Sequence, residues 1–421
     1  MLTQKPKGTK DITPDESYIW QYLEANARKT ADLYGYREIR TPIFEHTELF
    51  LRGVGDTSDI VQKEMYTFND KGNRSITLKP EGTAGAARSY IEEGMFSKTQ
   101  PVKMYYFTPV FRYENTNKGR LREHHQFGVE VFGAKSPVMD AEIISLAVNF
   151  LESTGLKGLS VNLNSIGCEK CRPAYQQKLK EYLRANYDGL CDTCKLRFEK
   201  NPMRILDCKE KNCKHIIEGA PVPIDHLCDE CKEHNEELKK LLTAAGIPFS
   251  IDPMIVRGLD YYTKTVFEII ADIDGKITIC GGGRYDNLIE ELDGPATCGV
   301  GFGLGLERLI MLLRQENLIP DTKPQCDVFI AYSGEGTGET AFALAQKLRA
   351  SGIRTELEYN GRSFKAQFKQ AGKYAAKYVA VIGSNELEAG LCNIKNMSTG
   401  TEEKVAMQDV CNYLSSQLIS E

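Results

Sequence analysis

The chain has 421 residues, of which 41% are hydrophobic and 26% charged, with a formal net charge of -5. That length predicts two or three domains with ample core, and the slight acidity does not advertise a nucleic-acid binder, though a local basic face can act inside an acidic whole. The opening MLTQKPKGTKDIT has no hydrophobic signal core and no apolar run is long enough to span a bilayer, which argues against a membrane protein and predicts a cytoplasmic one.

Thr13-Pro14-Asp15-Glu16 reads as a helix start, with Thr13 as N-cap, Pro14 at the first helical position and Glu16 three residues after the cap. Ile19, Tyr22, Leu23, Ala27 and Leu33 then recur at helical spacing, and Gly35 stops the run. GYREIRTPIFEHTELF, Gly35 to Phe50, predicts a short strand, a break at Pro42 and a helix-like run. A proline there suits a strand edge at an interface, and equally a plain loop boundary. Ser75 to Leu78 reads as a strand entering the tight loop Lys79-Pro80-Glu81-Gly82-Thr83-Ala84-Gly85. Proline and glycine in that loop expose a carboxylate and a hydroxyl ahead of a helix from Ala84 to Glu93.

Met104 to Phe111 is an apolar run that ends on Arg112. A cation-rich turn through Asn115, Asn117, Lys118, Gly119, Arg120 and Arg122 follows, and an alternating run from Gln126 to Phe132 returns. Two β-branched and aromatic runs around a glycine-containing loop predict an antiparallel hairpin. Alternation sends Gln126, Gly128 and Glu130 to one face and Phe127, Val129 and Val131 to the other. An amide and a carboxylate pointing the same way beside several arginines fit the lining of a polar pocket. An ordinary solvent-facing hairpin fits the same letters.

Asp140 to Ser153 follows as an amphipathic helix and Leu159 to Leu163 as a strand. From Cys168 to about Lys240 lysine, glutamate and cysteine dominate and strand signals vanish, which predicts a mostly helical insert. Thirteen cysteines is a high, odd number, and in a reducing compartment they point to metal ligands or buried thiols rather than disulfides. Eight of them fall in the insert as Cys168-x2-Cys171, Cys191-x2-Cys194, Cys208-x4-Cys213 and Cys228-x2-Cys231, close to the spacing of zinc sites. Eight thiolates suffice for two closed four-cysteine sites, so one or two structural Zn2+ ions are expected to staple the insert. Incidental cysteines and a redox role are the competing readings, and His215, His226 and His234 are near enough in sequence to replace a cysteine ligand. Cys280, Cys298, Cys326, Cys392 and Cys411 lack ligand spacing and are expected to be buried.

Strand character resumes at Phe249 with IDPMIVRGLDYYTKTVFEIIADI, a hairpin through Asp274-Gly275 and KITICGGGRYDNLI. CGVGFGLGLERLIMLL then reads as a Gly-rich strand entering an apolar helix. Its Gly301-Phe302-Gly303-Leu304-Gly305 run imitates a dinucleotide loop. Leu306 takes the sixth position, however, and no βαβ unit with a ribose-binding acid follows, so that reading is set aside. Pro320 to Pro324 is a linker. Beyond it, strands at Asp327 to Ala331, Thr355 to Tyr359 and Tyr378 to Ile382 alternate with helices at Ala341 to Ala350 and Ser363 to Ala376, the pattern of a separate small α/β domain.

Several of these segments, in this order, resemble one family. GYREIRTPIFEHTELF, FRYENTNKGRLREHHQFGVEVFG and GFGLGLERL are similar to motifs 1, 2 and 3 of the class II aminoacyl-tRNA synthetases. Between the last two, VRGLDYYTKTVFEI carries an RGLDYY of the kind typical of histidyl-tRNA synthetases, and LKPEGTAG and the α/β tail fit the same family. The resemblance implies an α+β fold: a class II catalytic domain over 1–322 built on an antiparallel sheet, a Cys-rich helical insertion over 168–245, and an α/β anticodon-binding domain over 323–421. It implies ATP- and Mg2+-dependent activation of L-histidine to histidyl-adenylate, transfer to the 3' end of tRNA(His), and a homodimer with the Pro42 strand and its helix at the interface. Arg362, Lys365 and Lys369 would then lie near RNA.

By the same resemblance Arg112 holds the α-phosphate of ATP and Arg308 its γ-phosphate end, while Arg257 sits on the α-phosphate and the substrate carboxylate. Arginine suits displacement at phosphorus because its planar fork holds oxyanions bidentately and stays charged. Glu81, Thr83 and Gln126 would hold the amino end of histidine, and Glu130 with Tyr261 and Tyr262 its imidazole. A carboxylate and phenol hydroxyls can satisfy both ring nitrogens, which a hydrophobic pocket cannot imitate. The chain departs from the family in three places: His124 stands where an aromatic ring stacks on adenine, Asn115-Thr116 where Arg-Pro is common, and Lys79 where arginine is usual. Lys118, Arg120 and Arg122 remain as phosphate partners at the loop. Two rival functions are a regulatory, non-catalytic relative that serves ATP phosphoribosyltransferase, and a class II synthetase for another amino acid. Arg257 and the full tail argue against the first, and Glu130 with Tyr261 and Tyr262 against the second.

Overall fold

The computed structural model describes residues 3–55, 58–117, 119–273, 275–321 and 326–419. The expectations placed on Lys118, on Asp274 and on the 322–324 part of the linker lie outside the described residues. The chain divides into two compact units, Met1–Pro320 and Asp321–Glu421.

The first unit is organised by one eight-stranded sheet. Its strands are β1 (Arg37–Glu38), β2 (Val102–Phe111), β3 (Glu123–Phe132), β4 (Leu159–Ser165), β5 (Phe249–Ile251), β6 (Thr263–Asp272), β7 (Lys276–Arg284) and β8 (Gly299–Gly305). Their spatial order is β1-β2-β3-β8-β7-β6-β4-β5. The interior pairs are antiparallel. The short edge strands β1 and β5 run parallel to their neighbours. One face is apolar. Phe127, Val129 and Val131 of β3 are fully buried with Val300, Phe302 and Leu304 of β8. The Phe127 ring packs 5.1 Å from that of Phe150 and 5.7 Å from that of Phe302, edge to face. Helices Pro14–Leu33, Pro137–Ser153 and Leu306–Gln315 pack into this core, together with Leu238 and Leu242 of the last insert helix.

The opposite face is polar, and glycine makes it so. Register places Tyr106, Gly128, Gly303, Gly281 and Glu268 side by side across β2, β3, β8, β7 and β6. The glycines of β8 all fall on this face because side chains alternate along a strand. Gly301 lies opposite Glu130 and Gly305 opposite Gln126. The Gly-rich run is therefore a sheet strand with one bare face, which explains why it lacks the rest of a dinucleotide fingerprint.

Local expectations differ from the structure where one signal was too weak. Helix Pro14–Leu33 forms with Pro14 in its first turn, but the Thr13 side chain makes no cap bond. Glu16 instead pairs with Lys10 and Arg314, both at 2.7 Å. Leu33 is exposed, and Thr30 and Ala31 complete the buried stripe. Phe44–His46, read as part of a helix-like run, is a strand in a three-stranded sheet with Tyr66–Asn69 and Ser75–Leu78. Neither of the missed strands buries a full face, so neither shows an amphipathic pattern. The Cys-rich insert is helical, with helices Arg172–Ala185, Asp192–Lys200, Lys211–Ile217 and Asp229–Ala244.

In the second unit, strands Thr355–Leu357, Val328–Ser333 and Tyr378–Gly383 are parallel neighbours. Leu391–Asn396 and Glu402–Ala406 extend that sheet as an antiparallel hairpin. The hairpin was not foreseen, because it is largely polar and buries one side at most.

A charged cluster lies inside the first unit. Arg284 and Asp140 are both fully buried and paired, and His234 approaches Asp140 at 3.3 Å. Arg284 also donates to the Ala134 carbonyl at 2.7 Å. Burial works to raise the Asp140 pKa, but Arg284 and His234 outweigh it and hold the carboxyl at about 2. The cluster joins β7 to helix Pro137–Ser153 and to the last helix of the insert. Removing one partner strands a buried charge. Asp140→Ala is expected to destabilise this unit by about 3–5 kcal/mol in urea unfolding; a loss below about 1 kcal/mol would show that the pair contributes only as much as a surface bridge.

Candidate active site

The polar face opens into a cavity of about 1160 Å³. That exceeds the roughly 300–1,000 Å³ of an ordinary small-molecule pocket and leaves room for two ligands at once. Arg112, His124, Gln126, Arg257, Glu268 and Arg308 line it. The remaining expected site residues, Glu81, Thr83, Glu130, Tyr261 and Tyr262, are buried. They form a cluster that adjoins the cavity through Gln126 and Glu130 on β3 and through Arg112 beside Glu81.

The cationic part comes from three elements. Arg112 follows the end of β2, and its Nε donates to the Pro80 carbonyl at 2.8 Å. Arg308 sits in the first turn of helix Leu306–Gln315 and donates to the Thr278 carbonyl at 2.6 Å. Among the described residues neither makes an ion pair, so both guanidiniums keep charge to offer an anion. Arg257 is paired with Glu268, and among the described residues its buried Nε has no hydrogen-bond partner. Its guanidinium lies on the backbone of Gly281, where a methyl group would overlap it.

His124 completes this wall as a neutral ring. Burial, then Arg112, His125 and Arg308, lower its pKa to about 3. Among the described residues its buried Nδ1 has no hydrogen-bond partner. His125 pairs with Glu307 at 2.9 Å, and its backbone N–H donates to the same carboxylate at 3.0 Å. Glu307 thus ties β3 to the helix that carries Arg308. At the turn, Arg120 pairs with Glu114 at 3.1 Å, and Arg122 stacks 3.7 Å over the Tyr113 ring.

The buried part is built around two carboxylates. Glu81 accepts from the backbone N–H of Thr83 at 2.7 Å and of Ala84 at 2.8 Å, at the start of helix Thr83–Glu92. Helix N-termini favour such an anion, yet burial still raises the Glu81 pKa. Glu130 is fully buried and accepts from the Thr83 hydroxyl at 2.7 Å, from the Tyr106 hydroxyl at 2.9 Å and from the Tyr285 hydroxyl. Burial pushes its pKa up to about 8, against the pull of those hydroxyls. Tyr106 and Tyr285 were not singled out in the sequence. Tyr106 is hidden in an apolar run; its signal is that it lies opposite Gly128, which its ring overlies so closely that a Cβ there would clash. Tyr261 and Tyr262 pack with ring centroids 4.7 Å apart, and Tyr261 lies 5.4 Å from Tyr285. Lys79 is buried against Thr41, and burial lowers its pKa to about 8.

The insert forms one wall of the cavity. Arg197 pairs with Asp59 at 2.5 Å, Arg204 donates to the Arg257 carbonyl at 2.8 Å, and Asn201 donates to Asp260 at 2.8 Å. Its eight cysteines fall into two groups of four: Cys168, Cys171, Cys228 and Cys231, and Cys191, Cys194, Cys208 and Cys213. The pairing is nested, the first pair in sequence joining the last. Neighbouring sulfurs lie 3.8–3.9 Å apart, too far for disulfides. A tetrahedron with metal–sulfur bonds of about 2.3 Å has edges of about 3.8 Å. Both groups fit a closed four-thiolate metal site. The three histidines considered as substitutes are elsewhere: His234 binds Asp140, His226 stacks on Tyr175, and His215 faces Glu218. Of the other cysteines, Cys280, Cys326 and Cys392 are buried, while Cys298 and Cys411 are only partly so.

Comparison with known proteins places this geometry in context. The family described as "Histidyl-tRNA synthetase" matches residues 8–309, and "Anticodon binding domain" matches residues 327–417. A curated "Histidine--tRNA ligase" of Caldicellulosiruptor bescii is 56% identical over 419 residues, covering 99% of this chain and 100% of the relative. One from Clostridium perfringens is 55% identical over 408 residues, covering 97% of this chain and 98% of the relative. Among solved structures, apo histidyl-tRNA synthetase of S. aureus is 40% identical with a TM-score of 0.85, covering 98% of this chain and 99% of that one.

The raised Glu130 pKa has a sign that can be measured. Between pH 4.5 and about 8 the folded protein holds a proton on Glu130 that the unfolded chain releases. Stability is therefore lost as pH rises through that window. Glu130→Gln, which does not titrate, is expected to flatten the decline of the urea midpoint over this range; an unchanged slope would show that Glu130 is ionised in the fold.

Proposed function

The chain belongs to the histidyl-tRNA synthetase family, and on that premise we infer that it works as a histidine–tRNA ligase, a class II aminoacyl-tRNA synthetase. It activates L-histidine with ATP and transfers the histidyl group to the 3' end of tRNA(His). The observation that carries the reading is the adjacency of two unlike halves on one glycine floor: the Arg112 and Arg308 guanidiniums, without an ion pair among the described residues, beside a buried carboxylate surrounded by hydroxyls.

The geometry supports the following division of labour. Histidine enters the buried half with its imidazole toward Glu130 and the ring pair Tyr261 and Tyr262. An imidazole nitrogen is a base that can take or share the Glu130 proton, whereas an isosteric apolar side chain would leave the carboxyl and hydroxyls unpaired. Glu81, Thr83 and Gln126 hold the amino end. The carboxylate then lies toward Arg257 and attacks the α-phosphorus of ATP in line, and pyrophosphate leaves. Arg257 and Arg112 neutralise charge at the α-phosphate, and Arg308 does so at the γ-phosphate end. The neutral His124 ring stacks on the adenine. Mg2+ entering with ATP adds neutralisation at the phosphate oxygens; Glu268 and Glu307, which line the cavity beside Arg257 and Arg308, are carboxylates that would hold it.

Partners follow from the same reading. The second unit binds the anticodon, with Arg362, Lys365 and Lys369 as candidate RNA contacts. The loop at Arg120 and Arg122 meets the acceptor end. A homodimer is supported by exposed apolar residues on the Pro42 segment and the helix after it: Ile43, Phe44 and Leu51 are 47%, 56% and 41% exposed. Each four-cysteine group holds a structural Zn2+. The site of action is the cytoplasm. The regulatory-subunit reading is weaker. A structure titled "ATP phosphoribosyltransferase regulatory subunit/histidyl-tRNA synthetase" from Bacillus halodurans is 22% identical, which supports a shared fold alone.

Purified chain is expected to charge tRNA(His) with histidine, and a folded chain that charges none would overturn the reading. Gly281→Ala tests the site more finely. The three atoms nearest the added methyl all belong to the Arg257 guanidinium, so the protein is expected to fold, losing at most the contribution of the Arg257–Glu268 pair. Displacing the guanidinium should lower histidine-dependent ATP–pyrophosphate exchange by about 100-fold. Wild-type exchange by Gly281→Ala would remove Arg257 from the chemistry.

A further inference from the structure

The nested cysteine groups divide the insert into a root and a tip. Cys168 and Cys171 precede helix Arg172–Ala185, and Cys228 and Cys231 lie at the start of helix Asp229–Ala244. The root group therefore joins the points where the chain enters and leaves the insert. Cys191, Cys194, Cys208 and Cys213 close the segment between them on itself. What the insert presents to the cavity comes from that tip: Thr193, Arg197, Arg204, Lys209 and Glu210 line the wall with Cys191 and Cys208. Among the described residues, no root cysteine does.

The tip is held by its cysteines together with a small apolar core of Phe198, Met203, Ile205 and Leu206. Its helices Asp192–Lys200 and Lys211–Ile217 have nine and seven residues. Isolated helices shorter than about 12–15 residues are marginal in water, and small modules are commonly stapled by a metal. Cys194 and Cys213 are fully buried in the apolar cluster that also contains Phe198, Ile205, Tyr261 and Tyr262. Between the second and third tip cysteines lie three groups that bond to loops of the catalytic sheet: Arg197 to Asp59, Asn201 to Asp260 and Arg204 to the Arg257 carbonyl. Arg204 is itself buried. The backbone of Arg257 is thus held by a side chain whose position depends on the tip fold.

We propose that the tip group is a positioning metal centre: a thiophilic divalent ion such as zinc, held by Cys191, Cys194, Cys208 and Cys213, sets Arg204 against the Arg257 carbonyl and so aligns the active site. The root centre closes the insert and has its own bridges, from Arg172 to the Tyr262 carbonyl at 2.5 Å and from Glu230 to Lys264 at 3.1 Å; the bond to the Arg257 carbonyl comes from the tip. Loss of the tip ion alone loosens the cavity wall while the sheet stays folded. The proposal rests on the ligase reading for its kinetic readout but not for its metal and amide-exchange readouts.

The test compares full-length wild type, purified without a metal-binding tag, with the double variant Cys191→Ser/Cys208→Ser and with Arg204→Met. Wild type is expected to hold two zinc ions per chain, one for each group, and the double variant one. Its kcat for histidine-dependent exchange should fall at least about tenfold, the usual cost of removing a group that orients a catalytic residue, with a smaller change in the KM for ATP. Amide hydrogen exchange should rise at 58–64 and 254–262 while β3 and β8 stay protected. Arg204→Met should reproduce the kinetic loss with both ions retained. Loss of one zinc without change in kcat or in protection at 254–262 would overturn the proposal, as would wild-type kcat in Arg204→Met or a wild-type chain with only one zinc. If the double variant does not fold, graded chelation of wild type decides: opening of 191–213 must bring 254–262 with it, and protection at 254–262 that outlasts it refutes the proposal. A wild-type chain with no histidine-dependent exchange sinks the ligase reading instead, and the zinc and amide-exchange results still judge the tip centre.

Discussion

Three glycines set opposite one another on neighbouring strands are the constraint on which the site depends. Gly128, Gly303 and Gly281 leave a bare lane across the middle of the sheet. Tyr106 closes one end of it and Glu268 the other. Side chains at these positions would meet the Tyr106 ring at Gly128 and the Arg257 guanidinium at Gly281. At those two positions a side chain would have to displace the group above it, whereas at Gly303 it would meet Gln126 at an ordinary contact distance of 3.5 Å. The same alternation that bares this face packs Phe127, Val129, Phe302 and Leu304 into the core beneath. The fold therefore supports the polar face by burying the other one.

Electrostatics then separates the two halves. Buried carboxylates are costly unless they are hydrogen-bonded or neutralised. Glu81 is met by amides at a helix start, and Glu130 by hydroxyls that hold it without an ion pair. The guanidiniums are placed differently, on backbone carbonyls that orient them without cancelling their charge. One half suits a small basic side chain and the other suits a polyphosphate. Asp140, Arg284 and His234 anchor the last helix of the insert to the sheet, so the wall contributed by the insert is fixed from behind as well as from its tip.

Much of this was legible from strand periodicity and from residue chemistry. The alternation of β3 announced that Gln126 and Glu130 share a face, and the Gly-rich run announced a strand entering a helix. What stayed hidden depended on contacts between distant segments. Tyr106 and Tyr285 look like core residues until register places them against Glu130. Glu268 looks like strand decoration until Arg257 folds onto it. Cysteine spacing told that two metal sites were affordable, but not that the outer pairs join, because spacing carries no information about which helix ends meet. The short strand at Phe44–His46 was lost because it buries no full face.

On the ligase reading, the pocket around Glu130 accepts histidine and rejects side chains without a base. ATP–pyrophosphate exchange by the wild-type chain, run separately with each amino acid, measures that claim most directly. Exchange driven by histidine alone is the predicted result. Exchange at a comparable rate with glutamine, phenylalanine or any other amino acid, or none with histidine in folded protein, would contradict it.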